Sequence, residues 1–165
     1  MDIAVYTGSF DPITVGHLNV IQRASRLVNH LIVGIGINVE KQSMFSPTER
    51  QRLIEASITD LENVEVRMFE GLAVAFVREC KASAMIRGVR PLTDIAVEFT
   101  MTMANRQLDE TLETVFLMSD PQYAHVSSSL IKQVAPLADD LQLAKFVPYQ
   151  IIPQVRQRLS ERSRN

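Results

Sequence analysis

Cysteine, excess charge and long hydrophobic runs are scarce in this sequence, and each shortage excludes a class of protein. The single cysteine, Cys80, has no partner for an internal disulfide, so the chain is not a disulfide-stabilised scaffold. No apolar stretch approaches the roughly 20 residues that a membrane-spanning helix needs. The opening residues 1–8 include an acidic residue and no basic segment, which argues against a signal peptide. We therefore expect a cytoplasmic protein without membrane attachment.

Neither sign of charge is in excess. Seventeen basic residues oppose 19 acidic ones, which gives a formal net charge of −2. Domains that bind nucleic acid carry a clustered basic excess, so this composition argues against a nucleic-acid partner. Residues 156–165 are locally basic, with several arginines and a single acidic residue. We interpret that segment as a solvated helix end that frays.

What is present suits one α/β domain spanning residues 1–165, since 46% of the residues are hydrophobic and no linker or repeat divides the chain. Short apolar runs alternate with segments of helical period. The predicted strands are 2–7, 30–37, 64–68, 84–87 and 114–118. The predicted helices are 15–28, 47–59, 72–81, 93–107, 127–135, 139–145 and a last one from Pro153 onward. This alternation predicts a Rossmann-like, doubly wound, five-stranded parallel sheet with helices on both faces.

The loop after the first predicted strand has the features of a phosphate-binding loop. Ligands of open α/β sheets bind beyond the carboxyl ends of the strands, where this loop lies. Gly8 allows a close backbone approach, and Ser9 and Phe10 offer amides and a hydroxyl to phosphate oxygens. His17 opens the following helix, beside the positive end of the helix dipole. A lone histidine there is ordinarily a surface residue, but the ordered set favours an anion site.

Three further loops add groups that suit anions. Arg87 and Arg90 flank a glycine at the end of the fourth strand and offer bidentate recognition. Ser127–Ser129 open a helix with hydroxyls and unpaired amides. Lys41 follows the second strand. Each has an ordinary alternative, namely surface arginines, a helix N-cap and a solvated lysine. Their shared position at the same end of the predicted sheet favours a phosphate site.

Two patterns are better explained by packing than by a cofactor. Gly34 and Gly36 suggest a dinucleotide-binding fingerprint, but position 39 is valine and the motif is incomplete. Close packing of neighbouring groups explains these glycines better. Several large apolar residues in the second half of the chain are likewise expected in the core or in an interface. They are Met101, Met103, Phe116 and Met118.

The segment from Gly8 to His17 resembles a known signature. Thr14-Val15-Gly16-His17, preceded by Phe10-Asp11-Pro12, resembles the T/HxGH motif of the nucleotidyltransferase superfamily. The form with threonine in its first position is similar to that of the bacterial phosphopantetheine adenylyltransferases. The resemblance covers residues 1 to about 150. It continues through Lys41, Arg87–Arg90, Glu98 and Ser127–Ser129.

The resemblance implies a reaction and an assembly. The reaction is the transfer of AMP from ATP to 4′-phosphopantetheine, which gives dephospho-coenzyme A and pyrophosphate. ATP is then the co-substrate, Mg²⁺ accompanies its phosphates, and the chain assembles as a homohexamer. The sequence holds no cluster of carboxylates that suggests a metal site built by the protein alone.

The resemblance also implies roles for individual residues. The catalytic residues would be His17, Lys41 and Arg90. The ATP-binding residues would be Ser9, Phe10, His17, Gly88, Val89, Arg90, Glu98, Tyr123, Ala124, His125, Val126, Ser127, Ser128 and Ser129. The residues that bind the phosphopantetheine acceptor would be Ser9, Lys41, Leu72, Ala73 and Arg87.

Alternatives of two kinds remain open. Within the transferases, the acceptor could be nicotinamide mononucleotide, or CTP could react with a polyol phosphate; Thr14 and Lys132 favour the pantetheine branch. Outside catalysis, a flavodoxin-like binding module would be yellow when purified, and a nucleotide sensor would bind ATP without releasing pyrophosphate. His17, Lys41 and Arg87 together favour catalysis.

Overall fold

The computed structural model describes residues 1–38, 42–89 and 95–162. Strands and helices alternate along these ranges. The strands are β1 (Ile3–Gly8), β2 (His30–Ile37), β3 (Val64–Glu70), β4 (Ala84–Val89) and β5 (Glu113–Met118). The helices are α1 (Val15–Ser25), α2 (Pro47–Ser57), α3 (Ala73–Glu79), α4 (Ile95–Leu108), α5 (Ser128–Val134), α6 (Asp140–Leu143) and α7 (Ile152–Arg162). Within the described ranges, none of the helices is long and apolar enough to cross a membrane.

The strands form one parallel sheet in the order β3-β2-β1-β4-β5, which confirms the predicted doubly wound architecture. The chain moves outward from β1 to β3, then returns to the other side of β1 to lay down β4 and β5. A crevice therefore opens between β1 and β4, at the point where the winding reverses. Tyr6 of β1 is paired with Ile86 of β4, so both strands end at the same edge.

Side chains of alternate residues fill two cores, one on each face of the sheet. On one face Tyr6 packs in a large cluster with Ile21 of α1 and Ile54 of α2. On the other face Val5 packs in a smaller cluster with Phe76 of α3. Helices therefore cover both faces, as the alternation of strands and helices predicts.

Gly34 in β2 is required by packing. A Cβ at this position would lie 2.5 Å from Cε1 of Phe76, closer than side chains tolerate. The Phe76 ring stacks on Phe69 with the ring centroids 4.4 Å apart, so it cannot move away easily. The glycine makes room for this aromatic pair, and the packing interpretation is confirmed.

Helix α1 ends earlier than its apolar period predicts, because a side chain from another loop closes it. Nδ2 of Asn63 donates to the carbonyl oxygens of Ser25 (2.8 Å) and Val28 (3.2 Å). These bonds satisfy carbonyls at the carboxyl end of the helix. Val28 still reaches the core, whereas Leu27 is 55% exposed.

Helix α4 leaves several large apolar side chains uncovered. None of its residues is buried. The residues of this "α4 face" are Val97, Phe99, Met101 and Met103, together with Phe116 and Met118 of β5. These side chains are between 40% and 64% exposed, so the expected core role is wrong for this chain on its own. The interface role remains open to them.

The arginine-rich carboxyl end is docked on the protein as far as Arg162, in contrast to the fraying end that its composition suggests. Nη1 of Arg156 donates to the carbonyl oxygen of Ala135 at 2.6 Å. The Arg158 guanidinium lies over the Phe45 ring, 5.3 Å from the centroid. Nη2 of Arg162 donates to a backbone carbonyl at 3.0 Å. Helix α7 thereby braces the loop before α2.

Candidate active site

A cleft of about 420 Å³ opens at the carboxyl edge of the sheet, over the crevice between β1 and β4. It gathers residues that lie far apart in the sequence. The predicted site residues that line it are Ser9, His17, Arg87, Gly88, Glu98, Tyr123, Val126, Ser127, Ser128 and Ser129. Lys41 and Arg90 lie outside the described residues.

The other predicted ATP-binding residues support the cleft from behind or lie apart from its lining. Phe10 is 1% exposed and packs beneath the loop after β1. Val89 is 2% exposed, and its carbonyl oxygen accepts a hydrogen bond from the backbone N–H of Ser119, the residue after β5. The His125 ring meets Phe146 edge-on with the centroids 6.1 Å apart, and Ala124 precedes it.

The two predicted acceptor residues that follow β3 also lie apart from the cleft lining. Leu72 is the N-terminal flanking residue of α3 and is 60% exposed. Ala73 is the first residue of that helix and packs against the smaller core. The structure therefore brings the ATP-side residues together more completely than the acceptor-side ones.

His17 is held by the residue that caps its own helix. The Thr14 hydroxyl accepts from the His17 backbone N–H at 3.1 Å, and the Thr14 backbone N–H donates to His17 Nδ1 at 3.2 Å. A backbone N–H can only donate, so Nδ1 acts as an acceptor and the ring proton lies on Nε2. The imidazole is thus a neutral donor, fixed in one tautomer at the start of α1.

Phe10 shapes the floor of the loop after β1. Its φ of 47° lies in the left-handed region, which non-glycine residues seldom adopt. Its ring meets Tyr6 edge-on at 5.4 Å and His17 at 5.1 Å between centroids. The ring also lies over Gly8, where an added Cβ would sit 2.9 Å from Phe10 Cζ. Burial of this ring keeps the unusual backbone in place and supports the His17 imidazole.

Asp11 ties three segments together beneath the cleft. Its carboxylate accepts from the backbone N–H groups of Met44 (2.7 Å) and Phe45 (2.8 Å) and from Nζ of Lys132 (2.6 Å). Burial by itself would raise the pKa of Asp11, but the hydrogen bonds from Lys132 and the two amides outweigh it and hold that pKa below its ordinary value. The carboxylate therefore stays charged and links the loops after β1 and β2 to α5.

Arg50 is a buried cation that the sequence reading missed. It is 3% exposed, and its Nη1 donates to the carbonyl oxygen of Ser9 at 2.8 Å. Burial lowers the pKa of Arg50, while nearby Asp11 acts in the opposite direction. A signal was present: Arg50 lies three and four residues before Leu53 and Ile54, on the buried stripe of α2.

Arg87 is fixed by residues on both sides of its guanidinium. Nε and Nη2 donate to the two carboxylate oxygens of Glu98 at 2.6 and 2.8 Å. Nη1 donates to the Thr7 carbonyl oxygen at 3.1 Å and to the Thr7 hydroxyl at 3.0 Å. All three nitrogens are engaged, and Glu98 balances the charge of Arg87. The fork is thereby oriented before any ligand arrives.

In the serine turn (Ser127–Ser129), two of the three hydroxyls make hydrogen bonds that support the fold. The Ser127 hydroxyl caps α5 by accepting from the Leu130 N–H at 3.1 Å. The Ser128 hydroxyl donates to the Pro12 carbonyl oxygen at 2.9 Å, which joins this turn to the loop after β1. Ser129 lines the cleft without using its hydroxyl in a hydrogen bond to the described part of the chain. Helix capping therefore accounts for one serine of the three.

Similarity to known proteins identifies the family of this chain. The model of the cytidylyltransferase-like family matches residues 5–134. A phosphopantetheine adenylyltransferase of Rhodopirellula baltica is 61% identical over 159 residues, covering 96% of this chain and 89% of that protein. One from Clostridium perfringens is 45% identical over 160 residues, covering 97% of this chain and 96% of that protein.

Solved structures share the fold. The nicotinic acid mononucleotide adenylyltransferase of Plasmodium falciparum matches with a TM-score of 0.61 at 15% identity, covering 94% of this chain and 95% of that one. A Vibrio parahaemolyticus protein assigned as a nicotinate-nucleotide adenylyltransferase matches with a TM-score of 0.67 at 17% identity, covering 94% and 99%. The near-full-length curated relatives confirm the resemblance that the T/HxGH residues indicate: the chain belongs to the phosphopantetheine adenylyltransferase family of nucleotidyltransferases.

Proposed function

We propose that the cleft transfers AMP from ATP to 4′-phosphopantetheine, giving dephospho-coenzyme A and pyrophosphate in coenzyme A biosynthesis. Family membership supports this reaction. The structural observation that carries it is the fixed tautomer of His17, which places a neutral N–H donor in the lining of the cleft. Such a donor suits a reaction in which charge builds up on phosphate oxygens.

The chemistry needs positioned donors more than a base. The acceptor phosphate is a monoester whose second pKa is about 6, so its attacking oxygen is ionised at neutral pH. That oxygen forms a bond to the α-phosphorus of ATP as the bond to the departing pyrophosphate breaks. The site must hold two anions in line and stabilise the added charge on the α-phosphate. His17 Nε2–H is the donor that we assign to this charge.

We divide the site residues between ATP and the acceptor. We assign the triphosphate to Ser9, His17 and the serine turn, and the acceptor phosphate to Arg87. Lys41 and Arg90 complete the catalytic set in this proposal. The rest of the ATP site comprises Phe10, Gly88, Val89, Glu98, Tyr123, Ala124, His125 and Val126. Leu72 and Ala73 contribute to the pantetheine side.

Magnesium enters this proposal as part of the substrate. In the part of the chain that the structure describes, two carboxylates line the cleft and both are already used, Asp11 by Lys132 and two amides, and Glu98 by Arg87. Among the described residues, no group of three His, Cys, Asp or Glu side chains could hold a metal ion. Mg²⁺ bound to the phosphates of ATP fits this donor set, because the protein then need only bind the complex.

The proposal extends to assembly and location. We assign the exposed α4 face to contacts between copies of this chain in a homohexamer, since so many large apolar side chains exposed on one element and its neighbouring strand mark an interaction site. We place the enzyme in the cytoplasm, where ATP and the phosphorylated acceptor are available. Small-molecule substrates need neither a nucleic acid nor a membrane partner.

A pyrophosphate-release assay with ATP and three separate acceptors tests the proposed reaction. The acceptors are 4′-phosphopantetheine, nicotinamide mononucleotide and glycerol 3-phosphate, and CTP replaces ATP in a parallel set. We expect turnover with ATP and phosphopantetheine alone. Turnover with only one of the other acceptors would overturn the assignment. ATP binding without pyrophosphate release would indicate a sensor, and a yellow purified protein would indicate a flavin-binding module.

A further inference from the structure

Ser119 carries a buried hydroxyl with no partner. Within the described ranges, only its Oγ and the Nε of Arg50 are buried side-chain polar atoms without a hydrogen bond. Ser119 is 8% exposed and lines the cleft. Folded proteins pair nearly all buried polar groups with protein, ordered water or ligand, because an unpaired group keeps its full desolvation penalty. A cleft residue with such a hydroxyl needs an explanation that includes the ligand.

The sheet order places Ser119 on the nucleotide side of the crevice. Ser119 directly follows β5, and its backbone N–H donates to the Val89 carbonyl oxygen of β4 at 2.9 Å. Gly88 and Val89 belong to β4, and Tyr123 to Ser129 follow β5 in the same segment as Ser119. Ser119 therefore lies beside two segments that the proposed function assigns to ATP.

The lining near Ser119 suits a base rather than a phosphate. Gly88, Ser119, Tyr123 and Val126 line the cleft from β4 and from the segment after β5 without charge, and the charged groups nearby are already paired. Arg87 is held by Glu98, Asp120 by Arg23, and Lys132 by Asp11. The donors suited to phosphate come from the amino ends of α1 and α5 instead. A nucleobase is neutral and flat, and its edge has both hydrogen-bond donors and acceptors that one hydroxyl can match.

We propose that the Ser119 hydroxyl hydrogen-bonds the edge of the adenine base of ATP and so contributes to nucleotide selectivity; this rests on the proposed function of the cleft. The hydroxyl is sealed from water in the free protein. No hydrogen bond to the described residues restrains it, so the hydroxyl can change between staggered χ1 rotamers at little cost when the nucleotide binds. Ligand binding thereby gives the orphan hydroxyl its partner.

Ser119→Ala tests the proposal in two opposite directions. The free variant should unfold at a temperature no lower than that of the wild type, because it loses an unpaired polar group. Its KM for ATP should rise about 2- to 13-fold, the range for one net hydrogen bond, with the acceptor KM unchanged. Ser57→Ala is the matched control: Ser57 is also 8% exposed, but its hydroxyl donates to the Leu53 carbonyl oxygen at 2.7 Å. That control should lower thermal stability and leave both KM values unchanged.

Nucleotide analogues then identify the group on ATP. Wild type and Ser119→Ala are compared with ATP, 7-deaza-ATP, purine ribonucleoside triphosphate lacking the 6-amino group, and 2′-deoxy-ATP. We expect one of the two base analogues to be used equally by both enzymes, because its partner group is already missing. The contact to the base would be overturned if Ser119→Ala altered the loss caused by the analogue only for 2′-deoxy-ATP. It would also be overturned if the loss from Ser119→Ala simply added to the loss from every analogue. An unchanged KM for ATP in Ser119→Ala would also overturn the contact, because the hydroxyl would then be hydrogen-bonded to water and not to the base.

The same experiment separates this inference from the proposed function. ATP affinity of both enzymes is also measured by calorimetry without an acceptor. Wild-type enzyme that fails to release pyrophosphate from ATP and phosphopantetheine contradicts the proposed reaction. Equal ATP affinity of wild type and Ser119→Ala contradicts the role of Ser119, whatever the acceptor proves to be.

Discussion

The loop after β1 and helix α4 both line the cleft, but the chain holds them in opposite ways. Phe10, Ile13 and Thr14 of the loop are at most 1% exposed, and Asp11 is 5% exposed. Helix α4 has no buried residue, and Val97, next to Glu98, is 64% exposed. One side of the site is embedded in the core, and the other is a helix that lies on the surface.

Because of this difference, we expect the loop after β1 to serve the reaction and helix α4 to serve the assembly of subunits. Groups that stabilise a transition state act best when they need no reorganisation, and in the proposed reaction His17, at the start of α1 beside the packed loop, is such a group. Helix α4 reaches the site through Glu98, which holds Arg87. The apolar side chains of α4 are exposed in the single chain and would be buried by contact with another protein surface. We therefore expect changes in the loop to affect rate and folding, and changes on the α4 face to affect assembly.

Replacing His17 should give the largest effect on the reaction. Removing one donor to a developing oxyanion lowers kcat by about 10²–10³-fold, equivalent to about 2.7–4 kcal/mol. We expect His17→Ala to lose that much kcat in the pyrophosphate-release assay. Because His17 also belongs to a capping box, Gln142→Ala serves as the control, since Gln142 occupies the same position in the capping box of α6. Full kcat in His17→Ala would remove the histidine from the mechanism.

Replacing Asp11 should give the largest effect on folding. Asp11→Ala strands the Lys132 ammonium and two backbone N–H groups, so we expect a loss of about 3 kcal/mol in the free energy of unfolding. That value is at the low end for a broken buried pair, because the Lys132 side chain is 31% exposed. Urea unfolding at neutral pH measures it. A loss below about 1 kcal/mol would show that the three segments are held by other contacts.

The same carboxylate predicts a pH dependence. Folding lowers the pKa of Asp11 from its ordinary 3.8, so its contribution is fully present above that pH. The contribution is lost as the pH falls through the lower pKa of the folded state. Asp11→Asn keeps the shape but not the charge, and its unfolding free energy should vary less with pH in this acidic range. An identical slope in both proteins would assign the acid sensitivity to other groups.

Thr7 provides a smaller test of how Arg87 is positioned. Thr7→Val keeps the shape of the side chain and removes the hydroxyl that accepts from Arg87 Nη1. A hydrogen bond to a charged group is worth about 1.5 kcal/mol or more, so we expect a rise of about tenfold or more in the acceptor KM. Thr7→Ser should restore it. An equal rise in the KM for ATP would show that Thr7 supports the whole site instead.

The α4 face should give the smallest effect on the folded subunit. Phe99→Asp replaces a side chain that is 57% exposed, so the unfolding free energy of the free subunit should change by less than about 0.5 kcal/mol. Its assembly should shift toward smaller species in analytical ultracentrifugation. Leu137→Asp is the control, since Leu137 is 88% exposed and belongs to another part of the surface. An unchanged assembly in Phe99→Asp would exclude this face as a subunit contact.

Much of the fold could be predicted because its signals are local. The strands β2 and β5 agree with their apolar runs to within one residue at either end. The Ser46–Glu49 capping box marks the start of α2 from the sequence alone. The early end of α1 could not be predicted, because Asn63, far along the chain, closes it.

The site was harder to predict because its contacts join distant segments. The sequence placed His17 and the serine turn correctly at one edge of the sheet. It gave no sign that Asp11 would hold Lys132, 121 residues away, or that Glu98 would neutralise Arg87. Arg50 and Ser119 were missed for a related reason: a buried arginine and an unpaired hydroxyl become informative only when the surrounding packing is known.

The fate of the α-phosphorus of ATP tests the central claim of AMP transfer most directly. ATP labelled at the α-phosphorus, or in a second reaction at the γ-phosphorus, is incubated with phosphopantetheine and the products are separated. We predict that the α-label appears in dephospho-coenzyme A and the γ-label in pyrophosphate. A γ-label in the acceptor product would show phosphoryl transfer, and an unlabelled acceptor in both reactions would show no transfer; either result would contradict the proposed function.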